Sequence, residues 1–428
     1  MFAAGPNVKF LRSFKNYLID VRDLSLQVPG TSVLRLAVVA IIGRNNVRVA
    51  VGHVAIVTML SSVTAAITCP ALPRKQRGDC RRKQAEILQH QWLAALAWGN
   101  DTLSAAEAAR IQLWLGIFPV SWRQIPDPAL LQRQIDSIHR HQAGRFPALL
   151  AAMVLDPALQ LSLNGPANHR RNPNENLARE LLELFSLGEG NYTENDVREA
   201  SRALTGYRLT AERELVILPR RHDFGPKTIL GRTAAFDGVS LADWLAQQPA
   251  TARHITRRIW LQLVGTSPPA QRLQAFTNSW RQQQLSIPWL LEAIEASPEA
   301  IRSRQQGLRL ADPLEMVARS LRLLGSRHPD ALAISLRGLR AMGQAPFEPP
   351  SVKGWPVNTQ WIHLRWLQAR RRCLQALLAD EEIWASAQLP AELTAKLTPI
   401  PPLGMSLPAV ASRANLLALF ADPVWQLV

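Results

Sequence analysis

The chain has 428 residues, 47% apolar and 19% charged, a balance that excludes a wholly disordered polypeptide and leaves room for one large core or two smaller ones. Its formal charge is +16, but 42 of the 49 basic residues are arginines scattered along the chain, and no short cluster (Arg74 to Lys83, Arg370 to Arg372) sits in a nucleic-acid motif. The three cysteines, Cys69, Cys80 and Cys373, exclude a disulfide framework and lack zinc-ligand spacing; Cys69 and Cys80 are free to pair, but no pattern requires it.

Residues 1–48 read as a poorly structured basic leader. Residues 49–72 form a hydrophobic segment in which Val49 to Cys69 carries one ionisable side chain, His53. Its length suits a membrane anchor or a signal-peptide core, and a buried valine-rich segment is the alternative. Basic residues flank both ends, so charge gives no orientation. Residues 73–385 read as a helical domain. Apolar residues recur at three and four over Ile87 to Trp98, Ala105 to Leu115, Leu130 to His141 and Phe146 to Leu155. A strongly amphipathic helix is expected over Asn174 to Leu187, with Gly188 as its C′ residue, and another begins after Thr193 as N-cap with Asp196 at N3. Leu215 to Leu230 is the best stretch for strands or an irregular hairpin. Helices resume near Leu241 and over Pro249 to Val264, Pro268 to Trp280, Ile287 to Ala296 and Pro313 to Leu324. A long Pro/Gly/Trp-rich loop, Gln344 to Gln360, precedes a helix over Trp361 to Leu378, and residues 386–428 form a proline-rich tail with a terminal helix at Ser412 to Phe420. The fold class is therefore mainly α: one large multi-helix domain with at most a short β-hairpin.

Three constellations can carry chemistry. On the Asn174–Leu187 helix, Asn176, Glu180 and Glu183 share a polar face, where carboxylates can act as acid and base or hold a cation; Glu175 and Arg179, at i,i+4, make an ordinary solvated face the competing reading. In HDFGPKTILG, His222 and Asp223 can orient each other and Lys227 can hold an anion, or the segment is simply a turn whose aspartate caps local amides. In PFEPPSVKGWPVNTQW, Lys353, Trp355 and Trp361 offer a cation and two flat surfaces to a sugar-like ligand, or the tryptophans pack against the helices. No serine elbow, H-E-x-x-H motif or dinucleotide fingerprint is present.

The blocks Asn172–Tyr207, His222–Gly231, Pro249–Trp260, Asp312–Gly325 and GQAPFEPPSVKGWP with Trp361, in this order, resemble a bacterial family catalogued as domain of unknown function 1800. The resemblance spans roughly residues 85–380 and leaves out the front 70. It implies a mainly helical fold, an export signal in many members and, by analogy, an exported sulfatase-like partner. The pattern keeps Glu175, Asn176, Arg179, Glu180, Glu183, His222, Asp223, Lys227, Lys353, Gly354 and Trp355. The chain departs from it at Ile117 and Gln248, where a histidine is usual, and at Val357 and Asn358, which replace a glycine pair.

The functional expectation is an exported or membrane-anchored, periplasm-side hydrolase or lyase on an extracellular polymer. Glu180, Glu183, His222 and Asp223 would be catalytic, and Asn176, Arg179, Lys227, Lys353, Trp355 and Trp361 would bind substrate. No metal is predicted and the cofactor is unknown. The alternatives are a non-catalytic binding or scaffold protein partnering an exported enzyme, a cytoplasmic location, and, last, nucleic-acid or anionic-polymer binding through basic surface.

Overall fold

A computed structural model describes residues 74–390, 397–404 and 410–428, with the strand backbone at 18–26, 34–43 and 46–49. The chain divides into two units, residues 1–67 and 68–428. In the first, β1 (Leu18–Leu26), β2 (Leu34–Gly43) and β3 (Asn46–Val49) form an antiparallel sheet in chain order, with Leu18 opposite Ile42 and Ala40 opposite Val49. Strands thus stand where a poorly structured leader was expected. The valine- and isoleucine-rich β2 and the two-residue spacing before β3 are the local reasons. The apolar stretch beyond Val49 lies outside the described residues, and no described helix is long and apolar enough to cross a membrane.

The second unit is helical. Its first half holds α1 (Arg74–Trp98), α2 (Ala105–Ile117), α3 (Ala129–His141), α4 (Phe146–Val154), α5 (Pro157–Ser162), α6 (Asn176–Glu183) and α7 (Glu194–Ala203). Two hairpins follow, β4 (Tyr207–Leu209) with β5 (Leu215–Ile217), and β6 (Lys227–Ile229) with β7 (Arg232–Ala234). Then come α8 (Gly238–Ala246), α9 (Pro249–Val264), α10 (Ala270–Gln282), α11 (Ile287–Glu295), α12 (Pro298–Gln306), α13 (Pro313–Leu324), α14 (Pro329–Ala341), α15 (Leu364–Ala379), α16 (Glu381–Ala385) and α17 (Arg413–Ala421). The mainly α expectation holds, with one correction. The strands Leu215–Ile217 and Lys227–Ile229, both within the stretch Leu215 to Leu230, do not pair with each other; the first pairs with Tyr207–Leu209 before that stretch and the second with Arg232–Ala234 after it. In the second hairpin Leu230 and Gly231 both sit at positive φ (50° and 76°), the two-residue turn that matches strand twist.

Helix ends follow from capping. Ser104 and Thr193 close capping boxes with Glu107 and Asp196 at the starts of α2 and α7. Proline at the first position starts α5, α9, α12, α13 and α14, where its missing N–H costs nothing. An aromatic chain runs through the core: Phe185, just after α6, lies 5.4 Å from Phe118, which reaches Trp114 at 6.3 Å, then Phe146 at 6.0 Å and Trp280 at 5.8 Å. It ties α6 to α2, α4 and α10.

Asp156 caps α5 and accepts the Leu159 N–H at 2.8 Å. Burial nevertheless raises its pKa from 3.8 to about 7. The native chain then holds a proton that the unfolded chain has released. Stability from this group is complete below the unfolded value and is lost as pH rises toward the folded one. Asp156→Asn keeps a cap acceptor but cannot titrate. The stability of wild type relative to this variant should fall by about 1.4 kcal/mol per pH unit across that window. Urea midpoints at several pH values check this, and parallel curves for the two proteins would refute it.

Candidate functional site

Helix α6 is shorter than its periodicity suggests, ending at Glu183 rather than Leu187. Its last turn opens because Ser186 Oγ takes the Leu181 carbonyl at 2.6 Å, while the Phe185 N–H turns to Glu180 O and the Leu187 N–H to Leu182 O. The Leu184 carbonyl then faces α9, where it accepts from Arg258 Nη1 at 2.8 Å and meets His254 Nε2 at 3.1 Å. Burial, with Arg258 beside it, lowers the His254 pKa to about 4.

This turn presents the two carboxylates at one rim. Glu183 accepts from the Tyr192 hydroxyl at 3.0 Å and lies 3.8 Å from Lys353 Nζ of the Pro/Gly/Trp loop. Glu180 is half-buried, and its pKa is raised first by burial and then by the Glu183 charge, against the pull of Lys353 and Arg179. Two of the three expected constellations therefore meet. Tyr192, pushed up to about 12 by burial and by its bond to Glu183, completes the group.

Other expected residues are committed elsewhere. Arg179 holds Glu194 at 2.7 and 2.9 Å and Glu175 at 3.2 Å, which joins α6 to the start of α7. The exposed Asn176 begins α6, with its N–H on Asn174 Oδ1 at 3.0 Å. His222 is buried, its Nδ1 2.7 Å from the Thr205 carbonyl. Asp223 accepts from Arg202 Nε and from the Gly225 N–H, both at 2.8 Å, and these bonds hold its carboxyl below the usual range despite burial. Lys227 is buried and donates to the carbonyls of Asp223, Gly225 and Phe236. None of these three lines the cavity described next or shares a hydrogen bond with Glu180 or Glu183. They brace the second hairpin against α7, because a buried ammonium needs acceptors and the folded turn supplies three.

Lys353, the contact of Glu183, also lines a cavity of about 750 Å³; neither Glu180 nor Glu183 lines it. The Pro/Gly/Trp loop forms one wall through Lys353, Gly354, Trp355 and Asn358, with Trp361 following it. Residues of α2, α9 and α13 and of the segment just before α13 line much of the rest, including Arg258, Arg309, Asp312, Glu315, Arg319 and Arg322. Trp361 is fully buried and packs on Trp366 at 5.1 Å. The loop lies flat on α2 because position 354 has no side chain: its φ is 88°, and a Cβ there would sit 2.6 Å from the Gly116 carbonyl. Gly354→Ala should cost about 2 kcal/mol, from strain and displacement of the loop. A denaturant midpoint equal to wild type would contradict this.

The departures from the family pattern have local explanations. Ile117 is buried in the core, and its carbonyl faces Arg258 Nη1 at 3.5 Å. Gln248 precedes α9 and bonds the Trp244 carbonyl at 2.9 Å. Asn358 sits at φ 45°, a left-handed position that glycine fills freely and asparagine tolerates, and its side chain ties Leu310 to Gly265. Sequence reading missed Arg258, Arg319, Glu315, His254 and Tyr192. All stand in the matched blocks, but each lies on a helix or turn whose burial only packing reveals.

Among the described residues, His328, Asp330 and Glu382 are grouped closely enough to suggest a metal site. There the two ring nitrogens face different carboxylates, at 3.7 and 3.1 Å, as in an ordinary surface ion pair. Cys80 is disulfide-bonded, and Cys373 is a buried free thiol.

Comparison with curated proteins and with solved structures finds no match. A family model described as "Protein of unknown function (DUF1800)" matches residues 19–421. The match begins well before the blocks that carry the resemblance, so the front of the chain, expected to lie outside it, is largely included. By this match over most of its length, the chain belongs to the DUF1800 family.

Proposed function

We propose that this protein is a hydrolase or lyase acting on an extracellular polymer such as a glycan, with Glu180 and Glu183 as its acid–base pair. The supporting observation is the rim. Glu180 is half-buried, raised in pKa and set beside a second carboxylate that Tyr192 and Lys353 orient. Paired carboxylates in unequal environments divide the roles of acid and base. Glu180 would hold the proton and Glu183 would accept one. Trp355 would face a sugar ring in the adjoining cavity, while Trp361, fully buried against Trp366, backs that wall. Export is part of the proposal; the disulfide at Cys80 suits an oxidising compartment. His222, Asp223 and Lys227 are given a bracing role, and Arg179 and Asn176 a place at the start of α6.

The test is turnover on a panel of polysaccharides by the purified chain and by a variant with both glutamates changed to glutamine. A second reading, a binding or scaffold protein that partners an exported enzyme, rests on the resemblance, which implies a histidine where this chain has Ile117 and Gln248. Polymer binding without turnover, unchanged in the double variant, would select it.

A further inference from the structure

The cavity wall is rich in donors. Arg258 donates to the Leu184 and Gly116 carbonyls at 2.8 and 3.2 Å, Arg322 to Leu96 and Ala97 at 2.8 and 2.9 Å, and Arg319 to Leu427 at 2.8 Å and to Trp425. These partners are backbone carbonyls, which satisfy hydrogen bonds but do not neutralise charge. By contrast, Arg309 has a carboxylate partner, Glu315, on two bonds of 2.7 Å. The wall as a whole carries five basic side chains and two acidic ones. Burial lowers the pKa of Arg258 and Arg319 to about 10, which leaves both charged at neutral pH.

Three buried side-chain polar atoms on this wall lack a partner: Arg319 Nε, Trp355 Nε1 and Trp361 Nε1. All three are N–H donors. An unpaired buried donor costs roughly 1–3 kcal/mol, so three in one hollow, on a wall where Arg309 and Arg319 share the one carboxylate Glu315 and basic side chains outnumber acidic ones, call for an acceptor-rich anion. A volume near 750 Å³ suits one small molecule or a two-ring stretch of polymer.

We infer that this cavity binds a sugar-sized ligand bearing an oxyanion, namely a carboxylate, sulfate or phosphate group, through the indole N–H groups of Trp355 and Trp361 and the guanidinium of Arg319. The site names a substrate class for the proposed function, but it does not require the rim carboxylates to be catalytic.

Titration calorimetry of the full chain tests this with four probes: a uronic-acid disaccharide, a sulfated disaccharide, a sugar phosphate and a neutral disaccharide. At least one anionic probe should bind, at least about tenfold more tightly than the neutral one. Its affinity should fall as salt rises from about 50 to about 300 mM. The arms identify which oxyanion is used. Trp355→Phe keeps a ring and removes the donor; it should weaken the anion about tenfold with an unchanged melting temperature. Trp361→Phe is the second variant; it should weaken the anion likewise, with a lowered melting temperature because this ring is fully buried against Trp366. Changing Glu180 and Glu183 to glutamine should leave anion affinity intact, so a failure of catalysis and a failure of binding are separable. Equal binding of neutral and anionic probes, no binding of any anion at millimolar concentration, or full affinity in both tryptophan variants would overturn the inference.

Discussion

Replacing Glu180 and Glu183 together by glutamine should reduce turnover by about 10²–10⁴-fold and leave the fold unchanged. Loss of activity is expected because glutamine can neither give nor take the proton. Stability should hold because each replacement is nearly isosteric and neither carboxylate is deeply buried. The Tyr192 hydroxyl can donate to a glutamine oxygen as it does to Glu183 at 3.0 Å. The Lys353 contact, at 3.8 Å with the lysine largely exposed, is a surface ion pair worth at most about 1 kcal/mol. Glu180 gives the sharper diagnostic. Its pKa is raised, so as the acid its contribution declines as pH climbs through that raised value. Glu180→Gln alone should abolish that alkaline limb of the rate profile. Unfolding of the double variant, or undiminished turnover, would remove the carboxylates from any chemical role.

Lys227→Ala should destabilise the helical unit by about 3 kcal/mol or more. The ammonium is buried among the carbonyls of Asp223, Gly225 and Phe236. Removing it leaves the buried Phe236 carbonyl and the half-buried Asp223 and Gly225 carbonyls without this donor, and a void where the aliphatic stem packed. Relief of the lysine's own desolvation, seen as its lowered pKa, offsets part of this. The loss should appear first around the second hairpin, as protease sensitivity between Arg220 and Ala234 at denaturant concentrations that spare the rest. A substrate-binding lysine would behave oppositely, with an intact midpoint and a weakened KM. The two outcomes separate a brace from a ligand.

The glutamate variants and the tryptophan variants probe different parts of the proposed site, whereas Lys227→Ala probes the brace outside it. In the proposed function the rim would supply proton transfer, and the cavity would supply charge and flat surface. The loop between Gln344 and Gln360 belongs to both, since Lys353 reaches Glu183 while Trp355 faces the hollow. Its position depends on Gly354 lying against Gly116, so a change there should disturb binding and acid–base geometry together.

Local signals in the chain were sufficient for much of this. The 3.6-residue periodicity marked most helices because a helix in a globular core must show one apolar face. Thr193 marked where α7 starts, because a side-chain oxygen there satisfies an amide that no carbonyl within the helix can reach. The amphipathic face of α6 marked Glu180 and Glu183, and proline and glycine marked the loop that bears Lys353 and Trp355. Tertiary structure alone decided the rest. It gave the Leu184 carbonyl, freed where α6 ends early, to Arg258 and His254 on a distant helix. It sent His222, Asp223 and Lys227 into the hairpin, because whether a charged side chain faces solvent or a backbone carbonyl depends on which segment packs over it. It also gathered Arg258, Arg319 and two tryptophans around one cavity, a matter of packing between helices far apart in sequence, which no local pattern encodes.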